Sequence, residues 1–166
     1  MADSPQPSIS NATVAGMRTL LCVLLLTAIP GATLLSAAKK VILPPEFVPA
    51  RGVTAPPYSP GILVDGTLYI SGQIGQNLRT REVPADFETE VKMCLENVGL
   101  VLRGAGMTYK DVVSVQVYLT DMDLFASMNS IYTKYFAEPR PARTTAGVAR
   151  LASPAAHIEI TVTARK

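Results

Sequence analysis

Histidine and cysteine are scarce in this sequence of 166 residues. It contains one histidine and two cysteines, and none of them stand at the close spacing that a structural zinc site requires. No glycine-rich phosphate-binding loop occurs either. We therefore expect neither a metal nor another cofactor.

A strong charge of one sign is also lacking. Fifteen Lys and Arg against thirteen Asp and Glu leave a formal net charge of +2. The basic residues are scattered and form no block longer than a pair such as Lys39-Lys40. Nucleic-acid-binding proteins usually cluster such residues on one element, so we expect no nucleic-acid partner.

A long apolar stretch lies near the N-terminus. Arg18 follows Met17 and precedes an apolar run that starts at Leu20. Ser36 and Ala38 then place small side chains where a signal peptidase requires them. This pattern predicts a signal peptide with cleavage near Ala38.

The predicted organisation is therefore a leader over residues 1–38, with Met17 as an alternative start, and one domain over 39–166. An exported protein follows, periplasmic or otherwise extracytoplasmic, and an uncleaved leader would anchor it to a membrane. Cleavage would leave Cys94 as the only cysteine, which we interpret as a small buried apolar residue.

Apolar periodicity and turn residues predict eight elements after the leader. Asp65-Gly66 between two apolar runs indicates a β-hairpin. Apolar residues recur every three or four positions in two segments, which is typical of helices. The predicted elements are an edge strand at 41–43, strands at 61–64 and 67–71, a helix at 84–103, a strand at 111–120, a helix at 121–138, and strands at 143–150 and 157–164.

The order β, hairpin, α, β, α, β, β predicts an α+β fold of two layers, a mixed sheet with two helices on one face. In the strand 111–120 we expect Val113, Val115, Val117 and Leu119 to face the core. The opposite face of the sheet would carry hydroxyl groups and tyrosines, so we expect an oligomer. Its predicted residues are Tyr69, Ser71, Tyr118, Thr161 and Thr163.

Arg143 and Glu159 are the first candidates for chemistry. Arg143 opens a strand, where a guanidinium is suited to bind a carboxylate in a bidentate manner. The alternative is an ordinary surface ion pair. Glu159 interrupts the last strand, on the helix-free face, pointing toward Ser71 or Arg143 if their strands are neighbours. It could position or deprotonate a water, or it could be a salt-bridge partner on a solvated face.

Other candidates are weaker singly. Tyr58 precedes the hairpin, and Ser71-Gly72 follow it, where glycine permits close approach of a ligand. Both segments could be simple turns. Asn129 has a poor helix propensity at mid-helix but could be a surface residue. His157 is interpreted as structural.

Taken together, these motifs resemble those of the YjgF-type reactive-intermediate deaminase (Rid) family. The resemblance runs from about residue 41 to 164. The motifs are "PYS", "YISGQIG", "LENVGLVLRGAG", "N..Y..YF" within the second helix, "PRPARTT" and "IEI".

The resemblance implies a chorismate-mutase-like fold, a homotrimer with clefts between subunits, and hydrolysis of 2-imino acids and 2-aminoacrylate to 2-oxo acids and ammonia. It assigns the substrate carboxylate to Arg143 and the attacking water to Glu159. It also implies that five residues shape the pocket: Tyr58, Ser71, Gly72, Asn129 and Thr145.

Some positions depart from the family pattern. Thr145 stands where many members have cysteine, so a thiol has no role there. Pro60 replaces a common glutamine, and substrate preference stays open. Two other functions also stay open: a non-catalytic module that binds small carboxylates or acts like a chaperone, and RNA cleavage, which the scattered charge disfavours.

Overall fold

The computed structural model describes residues 38–166 of the chain. The predicted leader therefore lies almost entirely outside the described residues, and its boundary stays a prediction. Within 38–166, no helix combines the length and the apolar character needed to cross a bilayer.

Six strands form one mixed sheet, and two helices cover one of its faces. The elements in chain order are β1 (Lys40–Ile42), β2 (Gly61–Val64), β3 (Thr67–Ile74), α1 (Phe87–Gly104), β4 (Val112–Leu119), α2 (Phe125–Tyr135), β5 (Ala142–Gly147) and β6 (Ile158–Arg165). The strand order is β1-β2-β3-β6-β4-β5. Only β4 and β5 are parallel, and α2 connects them. The predicted fold class and order of elements are confirmed.

The hairpin between β2 and β3 turns at the predicted dipeptide. Asp65 and Gly66 both have positive φ angles, of 48° and 70°. Two positive φ angles in succession define the type I′ turn, whose twist matches that of the flanking strands. The turn therefore sets the register of the strand that leads into the candidate site.

The hydrophobic core lies between the sheet and the two helices. Ile158, Ile160 and Val162 of β6 are at most 1% exposed. They alternate with half-buried residues on the open face of the sheet. Burying such a side chain contributes about 1.5–3 kcal/mol, so this face is strongly specified. The buried stripe of α1 that packs on the sheet contains Val91, Cys94, Leu95, Val98 and Leu102.

The prediction that Val113, near the start of β4, faces the core is wrong. Val113 is 49% exposed, whereas Val112 is buried. The pairing of β4 with β6 shifts its register between Val112 and Ser114, so an extra residue enters the strand there. Such a bulge reverses the alternation of side chains on one side of it.

The ends of three elements also differ from the predictions. Helix α1 begins at Phe87, because Asp86 caps it by accepting a hydrogen bond from the Thr89 N–H at 2.8 Å. A 3₁₀ turn precedes α2, whose first residue is Phe125. Strand β5 ends at Gly147, since its sole partner β4 also ends at that level.

Candidate active site

A β-bulge interrupts the pairing of β3 with β6. The register shifts between Ile70 and Gln73, so that Ser71 and Gly72 together stand opposite Thr161. Two residues facing one bend the strand and re-aim the side chains around it, which is common beside active sites.

Glu159 lies over this bulge on the open face of the sheet. Its carboxylate rests against Gly72, where any Cβ would overlap the Oε1 atom. Burial raises the pKa of the Glu159 carboxyl above its ordinary value. A carboxylate of raised pKa is a better proton acceptor near neutral pH than an exposed one. No ion pair involves Glu159 within 38–166, which argues against the salt-bridge alternative.

Ser71 ties the segment that carries Tyr58 to the bulge. The Ser71 Oγ donates to the Ser59 carbonyl at 2.6 Å, and the Ser71 N–H donates to the Pro60 carbonyl at 3.0 Å. Tyr58 is thereby held near the bulge, with 58% of its surface exposed. The hydroxyl proton of Ser71 is used in holding this segment.

The residues on this side of the sheet line one cleft of about 1330 Å³. Tyr58, Ser71, Gly72 and Glu159 all line it, together with residues of the proline-rich segment before β2. Pockets for small molecules usually measure about 300–1,000 Å³. The cleft of a single chain is therefore wider than a small acid requires.

Arg143 lies on the other face of the sheet, at its edge. It is level with Val115, whose side chain is buried on the helix side. The Arg143 Cζ lies 4.6 Å from the ring centroid of Tyr132 and 5.7 Å from that of Phe125. These cation–π contacts hold the guanidinium without neutralising it. No carboxylate within 38–166 forms an ion pair with it, which argues against the surface-pair alternative.

Asn129 and Thr145 belong to the side of Arg143. Asn129 precedes Tyr132 by three residues on α2, so the two share a helix face. Thr145 is level with the buried Val117. The hydroxyl groups of Thr145 and Tyr132 are buried and lack a hydrogen-bond partner among the described residues. Unpaired buried hydroxyls are costly, so this edge is incompletely satisfied in one chain.

The predicted residues therefore form two groups that one chain keeps apart. β4 separates β5 from β6, and two strand spacings amount to about 9.6 Å. Arg143 is level with Val115 and Glu159 with Tyr118, three residues or about 10 Å further along β4. Their side chains also leave opposite faces. The strand that carries Ser71 lies beside the strand that carries Glu159, whereas the strand of Arg143 does not.

Sequence reasoning missed Glu90 as a site-supporting residue. Glu90 lies near the start of α1, where acidic residues are usually exposed and interact with the helix dipole, but it is fully buried. It accepts a hydrogen bond from the backbone N–H of His157, and its second carboxylate oxygen lies 2.8 Å from Nδ1 of the His157 ring. The signal was its position four residues before Cys94, on the apolar stripe of α1. Within 38–166, no cluster of three His, Cys, Asp or Glu side chains suits a metal.

Comparison with known proteins finds relatives of this domain. A family model described as Endoribonuclease L-PSP matches residues 50–166. A RutC family protein of Sulfurisphaera tokodaii is 41% identical over 111 residues, which are 66% of this chain and 88% of the relative. A protein of Bos taurus named 2-iminobutanoate/2-iminopropanoate deaminase is 38% identical over 117 residues, 70% of this chain and 82% of the relative.

Solved structures share the fold. The crystal structure of E. coli TdcF with bound serine has a TM-score of 0.69 and 31% sequence identity. The match covers 76% of this chain and 98% of TdcF.

The prediction of an exported, periplasmic or extracytoplasmic protein is wrong. The relatives are archaeal, bacterial and mammalian proteins of the cytosolic Rid type, and the comparisons give no support to a signal peptide. An apolar run followed by small residues is a pattern of composition alone. It is weaker evidence for the location of a protein than relatives that match along the whole domain.

The family assignment rests on how much of the chain the family model covers, as well as on sequence identity to relatives. The family model covers the chain from the proline-rich segment to the C-terminal residue, including every strand of the sheet except β1. The chain belongs to the endoribonuclease L-PSP family, the family of the YjgF and Rid proteins.

Proposed function

We propose that this protein is a hydrolytic deaminase that converts small 2-imino and 2-enamino acids, such as 2-iminopropanoate and 2-aminoacrylate, into 2-oxo acids and ammonia. The bovine relative is named for such an activity, and the TdcF structure contains serine, an amino acid with a free carboxylate. The observation that carries the proposal is the guanidinium of Arg143, held on Tyr132 with no carboxylate partner among residues 38–166. We propose on this basis that the protein belongs to the arginine-containing subgroup of the family.

In the proposed mechanism, Arg143 binds the substrate carboxylate through two parallel N–H···O bonds. Glu159 orients a water and accepts its proton as the water oxygen attacks C2 of the imine. Glu159 returns that proton to the amino nitrogen of the resulting carbinolamine. Ammonia then leaves as the hydroxyl group gives up its proton and becomes the carbonyl of the 2-oxo acid. A protonated imine is already electrophilic, so positioning and proton transfer are the tasks left to the protein. We assign contacts that shape the pocket to Tyr58, Ser71, Gly72, Asn129 and Thr145.

The proposed site is built between two copies of the chain, in a homotrimer. Arg143 and Glu159 lie on different faces and two strands apart, so one chain does not present both to a single small acid. A cyclic assembly would bring the β5 edge of one copy to the open sheet face of the next. That arrangement would also narrow the wide cleft.

A module that binds small carboxylates without turning them over is the main competitor. The same arginine would serve it equally well, whereas the Glu159 carboxyl, whose pKa burial raises, is suited to accept a proton, and binding alone does not require that. Measuring both rate and affinity in Glu159→Gln separates the two. A deaminase loses rate and keeps affinity for the substrate carboxylate, whereas a binding module changes only in affinity.

The test generates an imino acid in situ with an amino-acid oxidase and traps the remaining imine with semicarbazide. Wild type should abolish the trapped product, and Arg143→Ala should fail to do so while keeping its oligomeric state. Arg140→Ala is the matched control, since Arg140 is a surface residue paired with Glu138. Failure of the wild type to consume imine would refute the proposed function. Full activity in Arg143→Ala would refute the assigned role of the arginine.

A further inference from the structure

The core contains one carboxylate that the proposed reaction does not use. Glu90, on the sheet-facing side of α1, is fully buried. Its Oε1 accepts hydrogen bonds from the N–H groups of His157 and Ile158, at 2.6 and 3.2 Å. Its Oε2 lies 2.8 Å from His157 Nδ1. Both oxygens are therefore directed at the first residues of β6.

A buried carboxylate is expensive unless it is hydrogen-bonded, so its position needs a reason. An apolar residue at this position would leave the N–H groups that Glu90 accepts from without that acceptor. His157 stands just before β6, which begins at Ile158, and Glu90 supplies the acceptor for its N–H group. Glu90 thus fixes the point at which the chain enters β6.

The entry point of β6 sets the position of Glu159, which follows Ile158 directly. The other side of this point is fixed as well, since the Thr120 N–H donates to the His157 carbonyl at 3.0 Å. Glu159 must then place its carboxylate against Gly72. A shift of the first residues of β6 would move that carboxylate off the bulge.

The same face of α1 also holds the opposite wall of the cleft. Cys94 donates through Sγ to the Gln73 carbonyl at 3.0 Å. Asn97 donates through Nδ2 to the Ile74 and Gln76 carbonyls, at 3.1 and 3.0 Å. Glu90, Cys94 and Asn97 are spaced four and three residues apart, so they form one row along the helix. A single helix face therefore binds the backbone at the start of β6, the strand that carries Glu159, and at the end of the neighbouring β3.

We propose that Glu90 is a positioning residue for Glu159, acting through the backbone of His157 and Ile158. The expected effect on kinetics rests on the proposed deaminase function. The expected effect on structure rests on the hydrogen bonds alone. A carboxylate in this role accepts two N–H donors with one oxygen and holds the His157 ring with the other. Glutamine keeps an oxygen acceptor for the N–H groups, whereas alanine leaves both of them unpaired in the core.

The kinetic test compares full-length Glu90→Ala, Glu90→Gln and Val98→Ala in the imine assay. Val98 is equally buried on the same helix and serves as the control for loss of stability. We expect Glu90→Ala to lower kcat about tenfold or more with KM changed less than about threefold, and Glu90→Gln to recover most of kcat. Equal kcat losses in Glu90→Ala and Val98→Ala would overturn the proposal, as would an unchanged kcat in Glu90→Ala.

A second readout does not depend on turnover. Hydrogen exchange at the amides of residues 157–159 should accelerate at least about tenfold in Glu90→Ala and stay close to wild type in Val98→Ala. Unchanged exchange in Glu90→Ala would overturn the positioning role. If wild type consumes no imine while exchange responds as expected, the proposed function fails and the structural role of Glu90 stands.

Discussion

Gly72 and Glu159 act as a pair, because one residue leaves the space that the other occupies. The two lie on neighbouring strands, and only a hydrogen atom at Gly72 leaves room for the carboxylate. The motif in the sequence identified both residues as candidates. It did not reveal that the two residues touch. Their contact depends on the bulge in β3, and no local pattern in "YISGQIG" predicts that bulge.

Gly72→Ala tests this pairing. The added methyl group would displace the Glu159 carboxylate, so we expect kcat to fall about 100-fold, the scale of a misplaced general base. Gly104→Ala is the control, because its methyl group would meet side-chain atoms of Ile42 and Pro44 at 3.0 Å or more, at the far end of α1. Activity of Gly72→Ala within a factor of about three of Gly104→Ala would contradict the pairing.

The pKa of Glu159 predicts a dependence of stability on pH. Burial raises this pKa in the folded protein, so folding favours the protonated carboxyl. That contribution is present below the ordinary value of about 4.3 and is lost as the pH rises through the raised pKa. Glu159→Gln should therefore gain thermal stability relative to wild type at pH 8 and lose this advantage at pH 4. An equal difference in Tm at both pH values would contradict the shift.

At the scale of elements, helix α2 and strand β5 form the support for Arg143. The helix presents Tyr132 beneath the guanidinium, and the strand is short and paired on one side only. Apolar periodicity and turn residues predicted both elements. It could not predict the stacking, because the parallel pairing that brings Arg143 level with Val115 is a long-range contact.

Two variants of Tyr132 separate its ring from its hydroxyl group. Tyr132→Leu removes the cation–π contact, and a loss of about 1–2 kcal/mol would raise KM about 5- to 30-fold. Tyr132→Phe keeps the ring and removes a buried hydroxyl that lacks a partner in the described chain, so its stability should match or exceed that of wild type. Steady-state kinetics and thermal unfolding provide the two readouts. A KM for Tyr132→Leu equal to that of Tyr132→Phe would contradict the supporting role of the ring.

Helix α1 shows why some functional residues escape sequence analysis. Its apolar stripe was predicted from spacing, and Val91, Cys94 and Val98 are indeed buried. Glu90 and Asn97 look like ordinary helix-surface residues in sequence, yet both are buried and bind the backbone of the strands below. Their partners are 21 to 68 positions away in sequence, so only the assembled sheet identifies them.

At the scale of the whole molecule, the fold was more predictable than the site. Hairpin turn, alternation and helical period are local signals, and they predicted every element in order. The site depends on which strands are neighbours, and β6 inserts between β3 and β4 although it is last in the chain. Location was not predictable from the N-terminal composition, and the relatives corrected it.

The proposed assembly explains why the residues of one motif set are divided between two faces. Arg143, Asn129 and Thr145 occupy the β5 edge, and Tyr58, Ser71, Gly72 and Glu159 occupy the cleft. In a cyclic oligomer, each site would take the first group from one copy and the second from the next. A copy with a substitution in the first group and a copy with a substitution in the second group should then form one intact site between them.

The most direct test mixes two inactive variants, Arg143→Ala and Glu159→Gln. The two proteins are unfolded together at equal concentration, refolded and assayed for imine hydrolysis. If each site takes Arg143 from one copy and Glu159 from the next, random assembly restores about one quarter of the wild-type sites. We therefore predict activity of about a quarter of wild type in the mixture and almost none in either variant refolded alone. A mixture as inactive as its components, with wild type refolding to full activity, would contradict a site shared between copies.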